Sequence, residues 1–384
     1  MSAAIAVIGA GLAGLTLAHR LAGHAAVSVF EKGDSVGGRL STLWSDGFQF
    51  DHGAQYFTIR GGAFRKFLEP ALAQGVVAPW DPVIVTLEVG KKEVTESRDE
   101  VIYVARPGMD GLCAHLAEGL AVTPGVDIVS LEKDGGGWRL VDVLGREYGV
   151  FDWVISTAPA PQSLALLPDD FVHRRALQRA RMRGCFTLML GFAAPLPITW
   201  QGAFAKNSPI GWMALDSHKP GHNGAVSLLV QSAGDWADAH GDDAPEAVEA
   251  ELLRALEHLT GIDSAAATHR KLHHWRQAGT AEPAGADYVL DADAHLAACG
   301  DWCIKGRVEA RNAEVKELKQ RLDTLDENAK RGSRVTASGP SGVERFCRDL
   351  NLSGKRVSPD GIGDRQNLNL SKTILSWTAG SKFG

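Results

Sequence analysis

The stretch A-I-A-V-I-G-A-G-L-A-G-L, residues 4–15, decides the fold of this chain. Residues 4–8 form a short apolar run, which is typical of a strand buried on both faces of a parallel sheet. Residues 12–21 then carry apolar side chains at helical spacing, and residues 25–30 return to a strand pattern. The three segments predict a β-α-β unit.

Three glycines lie where the predicted strand meets the predicted helix. Gly9 permits a tight turn, Gly11 lets backbone N–H groups approach a pyrophosphate, and Gly14 lets helix and strand pack closely. Glu31 ends the second strand, where its carboxylate can accept hydrogen bonds from ribose hydroxyls. We therefore predict a dinucleotide site; the alternative is a glycine-rich turn with a chance surface glutamate. Its predicted residues are Gly9, Gly11, Leu12, Ala13, Gly14, Glu31 and Lys32.

Composition narrows the class of protein. The 384 residues are 45% hydrophobic, enough for one large core or two modest ones, and a net charge of −6 offers no broad basic face for nucleic acid. Five cysteines are few, odd in number and widely spread, which favours structural thiols in a reducing compartment over disulfides or a metal site. The glycine-interrupted N-terminus does not resemble a signal peptide, and no apolar run approaches the roughly 20 residues of a membrane span. We expect a cytoplasmic protein with no membrane partner.

The next motif distinguishes between dinucleotides. Residues 32–40 read K-G-D-S-V-G-G-R-L, in which Gly37 and Gly38 bring more backbone to the cofactor and Arg39 can neutralise phosphate. This E-x5-G-G-R extension resembles that of flavoproteins of the monoamine oxidase, phytoene desaturase and renalase group. The resemblance implies that the cofactor is FAD, with Gly38 and Arg39 among its contacts.

Three further segments strengthen the resemblance, which covers residues 1–309 in the family's order. Residues 50–58, F-D-H-G-A-Q-Y-F-T, resemble the renalase-like segment that passes the flavin ring, and residues 153–161 resemble the family's strand that ends in a proline-rich turn. Gly300-Asp301-Trp302 resembles the element that meets the ribityl and phosphate region. The resemblance implies further FAD contacts at Gly53, Ala54, Gln55, Tyr56, Gly300 and Asp301, and at the backbone of Ile128 beside the adenine.

Three side chains are candidates for contact with a substrate. His274-Trp275-Arg276 resembles the family's W-R segment. Trp275 therefore either lines the substrate cavity or is an ordinary core tryptophan. His52 and Tyr56 could polarise a substrate, although we favour a structural role for both. The other histidines have no metal-ligand spacing, and no G-x-S-x-G elbow supports a hydrolase.

The predicted fold class is α/β. We expect a Rossmann-like FAD-binding domain, with a parallel sheet and an inserted β-hairpin, formed by residues 1–60, 104–160 and 270–310. Residues 61–103 and 161–269 should form a discontinuous α+β substrate domain. Helices are expected at 64–72, 110–120, 174–181 and 245–259, and the hairpin at 126–132 and 138–143. Residues 311–384 are predicted to be a charged helix followed by a poorly ordered tail.

The resemblance implies an FAD-dependent oxidoreductase that takes a hydride from a small substrate to flavin N5, with reoxidation by O2 giving H2O2. Renalases oxidise isomeric dihydro-NAD(P), which is the expected substrate; an amine is the alternative within the superfamily. A non-catalytic nucleotide-binding or coiled-coil interaction protein is a third reading, because residues 312–330 are highly charged and carry a narrow apolar stripe. Gly306 to Glu309 match the family, but Ala310 and Arg311 do not.

Overall fold

The computed structural model describes residues 3–304, and the predicted charged helix and tail lie outside them. The N-terminal motif forms the expected unit: β1 (Ala4–Ile8) and β2 (Ala26–Phe30) pair in parallel, and α1 (Leu12–Leu21) connects them. Side chains of β1 are buried on both faces of the sheet, as the apolar run predicts. The β-α-β prediction is confirmed.

This unit lies in the middle of a six-stranded sheet. The strand order is β10-β2-β1-β14-β21-β20, in which all neighbours are parallel except the last pair. The additional strands are β10 (Ala121–Thr123), β14 (Trp153–Ser156), β20 (Val289–Asp291) and β21 (Leu296–Ala298). The predicted α/β class with a parallel sheet is therefore confirmed.

A three-stranded antiparallel sheet is inserted between β10 and β14. It consists of β11 (Ile128–Asp134), β12 (Gly137–Asp142) and β13 (Glu147–Phe151). Gly135 and Gly136 make the turn at φ values of 57° and 98°, a conformation that glycine adopts without strain. The predicted hairpin is present, and β13 adds a strand that the sequence pattern had not indicated.

The second large sheet has seven strands in the order β19-β15-β18-β17-β16-β7-β8. Its pairs are antiparallel except β16 with β7. The strands are β7 (Ile84–Leu87), β8 (Val94–Thr95), β15 (Arg181–Phe192), β16 (Gly202–Ala205), β17 (Ile210–Leu215), β18 (Val226–Ser232) and β19 (Ala267–Glu282). The domain boundary expected at residue 270 falls inside β19, whose residues 267–282 pair with β15 in this sheet.

Two small sheets complete the strands of residues 3–304. One pairs β3 (Leu43–Ser45) with β4 (Phe48–Phe50), and the other has the order β5-β9-β6, with β5 (Phe57–Thr58), β6 (Val77–Trp80) and β9 (Ile102–Ala105). Strand β4 directly precedes residues 51–56, and strand β5 directly follows them. That segment carries several of the predicted site residues.

The helices cover the sheets. They are α2 (Gly62–Ala73), α3 (Gly111–Ala117), α4 (Ala160–Leu166), α5 (Arg174–Arg179), α6 (Gly234–Ala239) and α7 (Pro245–Thr260). The apolar side of α7, with Val248, Leu252 and Leu256 buried, packs against the seven-stranded sheet. Helix α3 is shorter than the predicted 110–120 and is followed by Gly119 at a φ of 76°. None of the helices in residues 3–304 combines the length and the apolar character needed to cross a bilayer.

Candidate functional site

Four parallel strands of the six-stranded sheet end at one edge. They are β1, β2, β14 and β21, and the residues that follow them include Gly9, Glu31, Thr157 and Gly300. Open α/β sheets bind their ligands outside the carboxyl ends of such strands. The topology therefore brings most of the predicted nucleotide-binding residues to one place.

Two of the three glycines are required by the packing of the protein itself. A Cβ atom at Gly14 would lie 1.9 Å from the carbonyl oxygen of Gly9, and one at Gly9 would lie 2.9 Å from Oγ1 of Thr157. The Thr157 hydroxyl donates to the carbonyl oxygens of Ile8 and Gly9 at 3.0 and 3.1 Å. Thr157, which the sequence analysis had not singled out, thus closes one side of the glycine turn.

Gly11 has a different reason to be glycine. Its φ and ψ of −77° and −179° suit any residue, and the nearest neighbour of an added Cβ would be the Gly37 oxygen at an ordinary 3.7 Å. Nothing among residues 3–304 demands glycine at this position, whereas the close approach of a ligand would. Leu12 and Ala13 open α1 beside it, where the first N–H groups of a helix favour an anion. This cradle fits a pyrophosphate.

Two hydrogen bonds hold the Glu31 carboxylate in place and leave it able to accept others. The carboxylate is buried and accepts from the backbone N–H of Ala10 at 2.7 Å and of Gly33 at 2.8 Å. Each oxygen keeps a second lone pair that a ribose hydroxyl can use. Lys32, also predicted as a contact, donates to Oε1 of Gln162 at 3.2 Å.

The predicted adenine contact lies on the neighbouring connection. The N–H of Val126 donates to the carbonyl oxygen of Glu31 at 2.9 Å, and Ile128 follows two residues later as the first residue of β11. Ile128 is therefore held beside the end of β2, on the side of Glu31.

Residues 37–39 form a second layer against the glycine turn. Gly37 donates from its N–H to the carbonyl oxygen of Ala10 at 3.0 Å, and a Cβ at Gly38 would lie 3.5 Å from the Cα of Gly11. The Arg39 guanidinium binds the Asp301 carboxylate through two bonds of 2.6 and 2.7 Å. Arg39 and Asp301 were each predicted as cofactor contacts near the phosphate, and the fold makes them partners of one another.

The 51–56 segment continues from this layer. A Cβ at Gly53 would lie 2.2 Å from the carbonyl oxygen of Arg39, and the N–H of Ala54 donates to that oxygen at 2.9 Å. The Gln231 amide donates to the carbonyl oxygen of Gly53 at 2.8 Å, and Gln55 donates to that of Asp51. A continuous line of backbone thus runs from the glycine turn through Arg39 to Tyr56.

His52 and Trp275 form a stacked pair on this segment. Their ring centroids are 5.2 Å apart with planes inclined by 24°, and the indole N–H of Trp275 donates to the carbonyl oxygen of His52 at 2.8 Å. Burial, assisted by the neighbouring His273, lowers the pKa of His52 to about 4. The imidazole is therefore neutral at ordinary pH, able to donate or accept a hydrogen bond but not to supply a positive charge.

Tyr56 faces a separate aromatic group. Its ring lies 5.6 Å from that of Trp212 and 6.3 Å from that of Trp80. Burial raises the pKa of Tyr56, so the phenol stays protonated. The structure thus brings His52 and Trp275 together and places Tyr56 in a neighbouring aromatic cluster.

Comparison with known proteins identifies the family to which this chain belongs. Residues 7–70 match an NAD(P)-binding Rossmann-like domain, and residues 59–293, more than half of the chain, match flavin-containing amine oxidoreductases. The chain belongs to the flavin-containing amine oxidoreductase family. The glycine cradle and Glu31 are accordingly suited to the adenosine diphosphate half of FAD.

Individual relatives extend the comparison. A 4,4'-diapophytoene desaturase of Staphylococcus aureus is 57% identical over a segment that makes up 17% of this chain and 15% of that protein. A candidate protoporphyrinogen oxidase of Exiguobacterium sp. 255-15 is 15% identical with a TM-score of 0.66, covering 84% of this chain and 99% of that structure. A putrescine oxidase with bound putrescine gives 12% identity and a TM-score of 0.62, covering 84% of this chain and 99% of that structure. At these identities the solved structures are evidence of a shared fold.

Several residues of the site region were not predicted from the sequence. Thr157 lies in a quoted motif but had no assigned role, and Gln231 lies within residues 161–269, which were assigned to the substrate domain without a role for this side chain. Asp216 and Lys219 form a buried ion pair with an Nζ–Oδ1 distance of 2.8 Å. An acid and a base three residues apart in D-S-H-K-P-G, residues 216–221, were the available signal. Such spacing is also common among solvated side chains, so by itself it does not indicate a functional site.

Proposed function

We propose that this oxidoreductase is a renalase-like oxidase that converts isomeric dihydro-NAD(P) to NAD(P)+ and passes the electrons to O2, releasing H2O2. The supporting observation is the 51–56 segment, D-H-G-A-Q-Y, whose Gly53 packs against the Arg39 carbonyl in continuity with the nucleotide-binding turn. This segment carries the renalase resemblance. Its contact with the second glycine motif supports a place beside the reactive part of the cofactor.

The cofactor contacts predicted from the sequence belong to the same proposal. Bound FAD supplies the hydride acceptor. We assign the pyrophosphate to the 9–14 turn, the ribose hydroxyls to Glu31 and the adenine to the backbone near Ile128. Residues 300–301 would meet the ribityl and phosphate region. Glycines at the first of these places allow the backbone approach that a pyrophosphate requires.

The substrate would occupy the side of the site that the seven-stranded sheet supplies. Trp275 on β19 and Trp212 on β17 both belong to this sheet and contact His52 and Tyr56, respectively. Their aromatic faces can pack against a flat nicotinamide and exclude water. The neutral imidazole of His52 can orient an amide without adding a charge that would oppose formation of a nicotinamide cation.

An amine is the second candidate substrate. The family match and the fold shared with a putrescine oxidase favour it. Both substrate classes present a hydride-donating carbon next to nitrogen, so the residues around His52 suit either. The two candidates differ in size and charge, which makes them separable in solution.

Anaerobic reduction of the bound flavin tests the proposal. Purified protein is mixed without oxygen with isomeric dihydro-NAD(P), with the ordinary 1,4-dihydro isomer as matched control, and with putrescine and simple monoamines. We expect that the isomeric forms bleach the visible absorbance band, and that the 1,4-dihydro control and the amines do not. Readmission of air should restore the band with formation of H2O2. Bleaching by amines but not by the isomers would establish the second candidate, and reoxidation without peroxide would contradict the oxidase assignment.

A further inference from the structure

A buried ionic cluster adjoins the 51–56 segment. Its members, all with side chains only 0–1% exposed, are Asp51, Asp216, Lys219 and His222. The loop that begins at Asp216 lies far along the chain from residue 51. The ionic cluster therefore connects the candidate site to the end of β17.

Lys219 binds both ends of the segment. Its Nζ lies 3.1 Å from Oδ2 of Asp51 and 3.3 Å from Oε1 of Gln55, as well as 2.8 Å from Asp216. The ammonium donates hydrogen bonds to Asp51 and Gln55, and its approach to Asp216 is an ion-pair contact. Asp216 completes the link, because its Oδ2 accepts from the backbone N–H of Asp51 at 2.7 Å.

Asp51 and Lys219 favour their charged forms although they are buried, whereas burial raises the pKa of Asp216. Burial opposes ionisation of Asp51, but Lys219, His222 and the N–H of Met109 outweigh it and hold the pKa of Asp51 below its usual range. Burial likewise opposes the charge of Lys219, yet the two carboxylates raise its pKa. The link between the loop and the segment therefore includes an ionised pair, Lys219 with Asp51.

Such a cluster is a poor way to gain stability. Bringing two charges out of water costs about as much as their attraction returns, and apolar side chains of similar volume would hold the same space as well or better. What ionised groups add is a defined geometry, because each donor needs its acceptor in one place. The segment that this geometry fixes contains His52, Gly53 and Gln55.

We propose that Lys219 is a positioning residue, which holds Gln55 and the backbone of residues 52–54 in the orientation that the bound FAD and the substrate require. The inference rests on the assignment of the 51–56 segment to the reactive side of the cofactor. Lys219 acts through Gln55 and Asp51 and touches neither reactant.

The test removes the ammonium together with one of its two carboxylate partners. The double variant Asp216→Asn/Lys219→Met removes both members of that ion pair, Asp51 keeps His222 and the Met109 N–H, and the asparagine oxygen can still accept from the Asp51 N–H. We expect stoichiometric FAD with an altered visible spectrum, and kcat at least about tenfold lower with little change in KM, because misplacement near the reacting atoms slows catalysis. The matched control is Glu88→Gln/Lys91→Met, which removes an ion pair of 2.8 Å at the same spacing, with Lys91 66% exposed. It should leave spectrum and kcat unchanged.

A second variant keeps the inference testable if the double variant does not fold. Gln55→Met removes one of the two acceptors that Lys219 has in the segment and leaves the ion pairs of Lys219 in place, and we expect the same changes in spectrum and kcat. A native spectrum with kcat within about twofold of wild type in both variants would overturn the inference. So would loss of FAD from both, since the ionic cluster would then serve binding. The spectrum requires no substrate, so a wrong choice of substrate leaves this test intact, and wild-type protein without FAD would refute the cofactor assignment itself.

Discussion

The three glycines of the first turn are fixed by different forces. Gly9 and Gly14 have no room for a side chain because the carbonyl oxygen of Gly9 and the Thr157 hydroxyl occupy that space. Gly11 has room among the described residues, and its lack of a side chain suits the proposed pyrophosphate lying on the backbone. At the scale of single residues, the fold and the cofactor therefore make separate demands.

Gly14→Ala should weaken FAD binding at least about tenfold, which corresponds to about 1.4 kcal/mol. A methyl group 1.9 Å from the Gly9 oxygen must push the turn away from the start of α1. Equilibrium dialysis or fluorescence titration of the apoprotein with FAD measures the effect. Gly62→Ala is the control, because its Cβ would meet nothing within 4 Å. Equal affinities for both variants would contradict the role of the turn.

At the scale of elements, the Arg39–Asp301 pair joins the layer after β2 to the turn after β21. The side chains are 14% and 4% exposed, so the pair is largely shielded from solvent. Asp301 also lies 3.4 Å from the Thr280 hydroxyl at the end of β19. Elements from both ends of the described chain are thus held together beside the candidate site.

Asp301→Asn or Arg39→Met should each lower the free energy of unfolding of the apoprotein by about 3–5 kcal/mol, because each leaves a buried charge without its partner. The double variant should cost less than the sum of the two. Urea unfolding of the apoprotein separates this effect from loss of FAD. The exposed pair Arg181–Glu282, with side chains 70% and 60% exposed, is the control and should contribute less than about 1 kcal/mol. Additive costs at residues 39 and 301 would show that the two side chains do not stabilise each other.

At the scale of the whole molecule, the two large sheets meet the candidate site from different parts of the chain. The six-stranded sheet supplies the nucleotide-binding edge, and the seven-stranded sheet supplies Trp275 and Gln231. His52 lies where these contributions converge, half-buried and neutral, with its pKa lowered to about 4. The stability of the molecule should therefore depend on pH through this residue.

Acid should destabilise the wild-type protein more than the His52→Phe variant. The folded pKa of about 4 lies below the unfolded value of about 6.5, so stability is fully present above pH 6.5 and declines as the pH falls towards 4. Urea unfolding at pH 7 and pH 5 should show an additional loss of at most about 2 kcal/mol in the wild type. Phenylalanine keeps the stacked ring on Trp275 but cannot be protonated. The exposed His258, changed to phenylalanine, is the control, and an identical pH dependence in wild type and His52→Phe would contradict the burial argument.

The sequence by itself determined the β-α-β unit and glycine turn that carry the proposed nucleotide-binding residues. Strand, glycine turn, helix and Glu31 follow one another within the first 31 residues, and their spacing reflects local backbone geometry that a linear pattern records. The same holds for Gly37 and Gly38, which lie directly after it. The family resemblance was readable for the same reason.

Only the tertiary structure decided which distant groups became partners. Arg39 meets Asp301, Asp51 meets Lys219, and Thr157 closes the turn at Gly9 across gaps of 262, 168 and 148 residues. Lys219 was not identified as part of the site from its sequence context. A buried polar or charged group must find a partner, but its sequence position does not show which one, because that depends on how the two sheets pack. The local turn was therefore predictable, whereas the groups that hold the 51–56 segment required the fold.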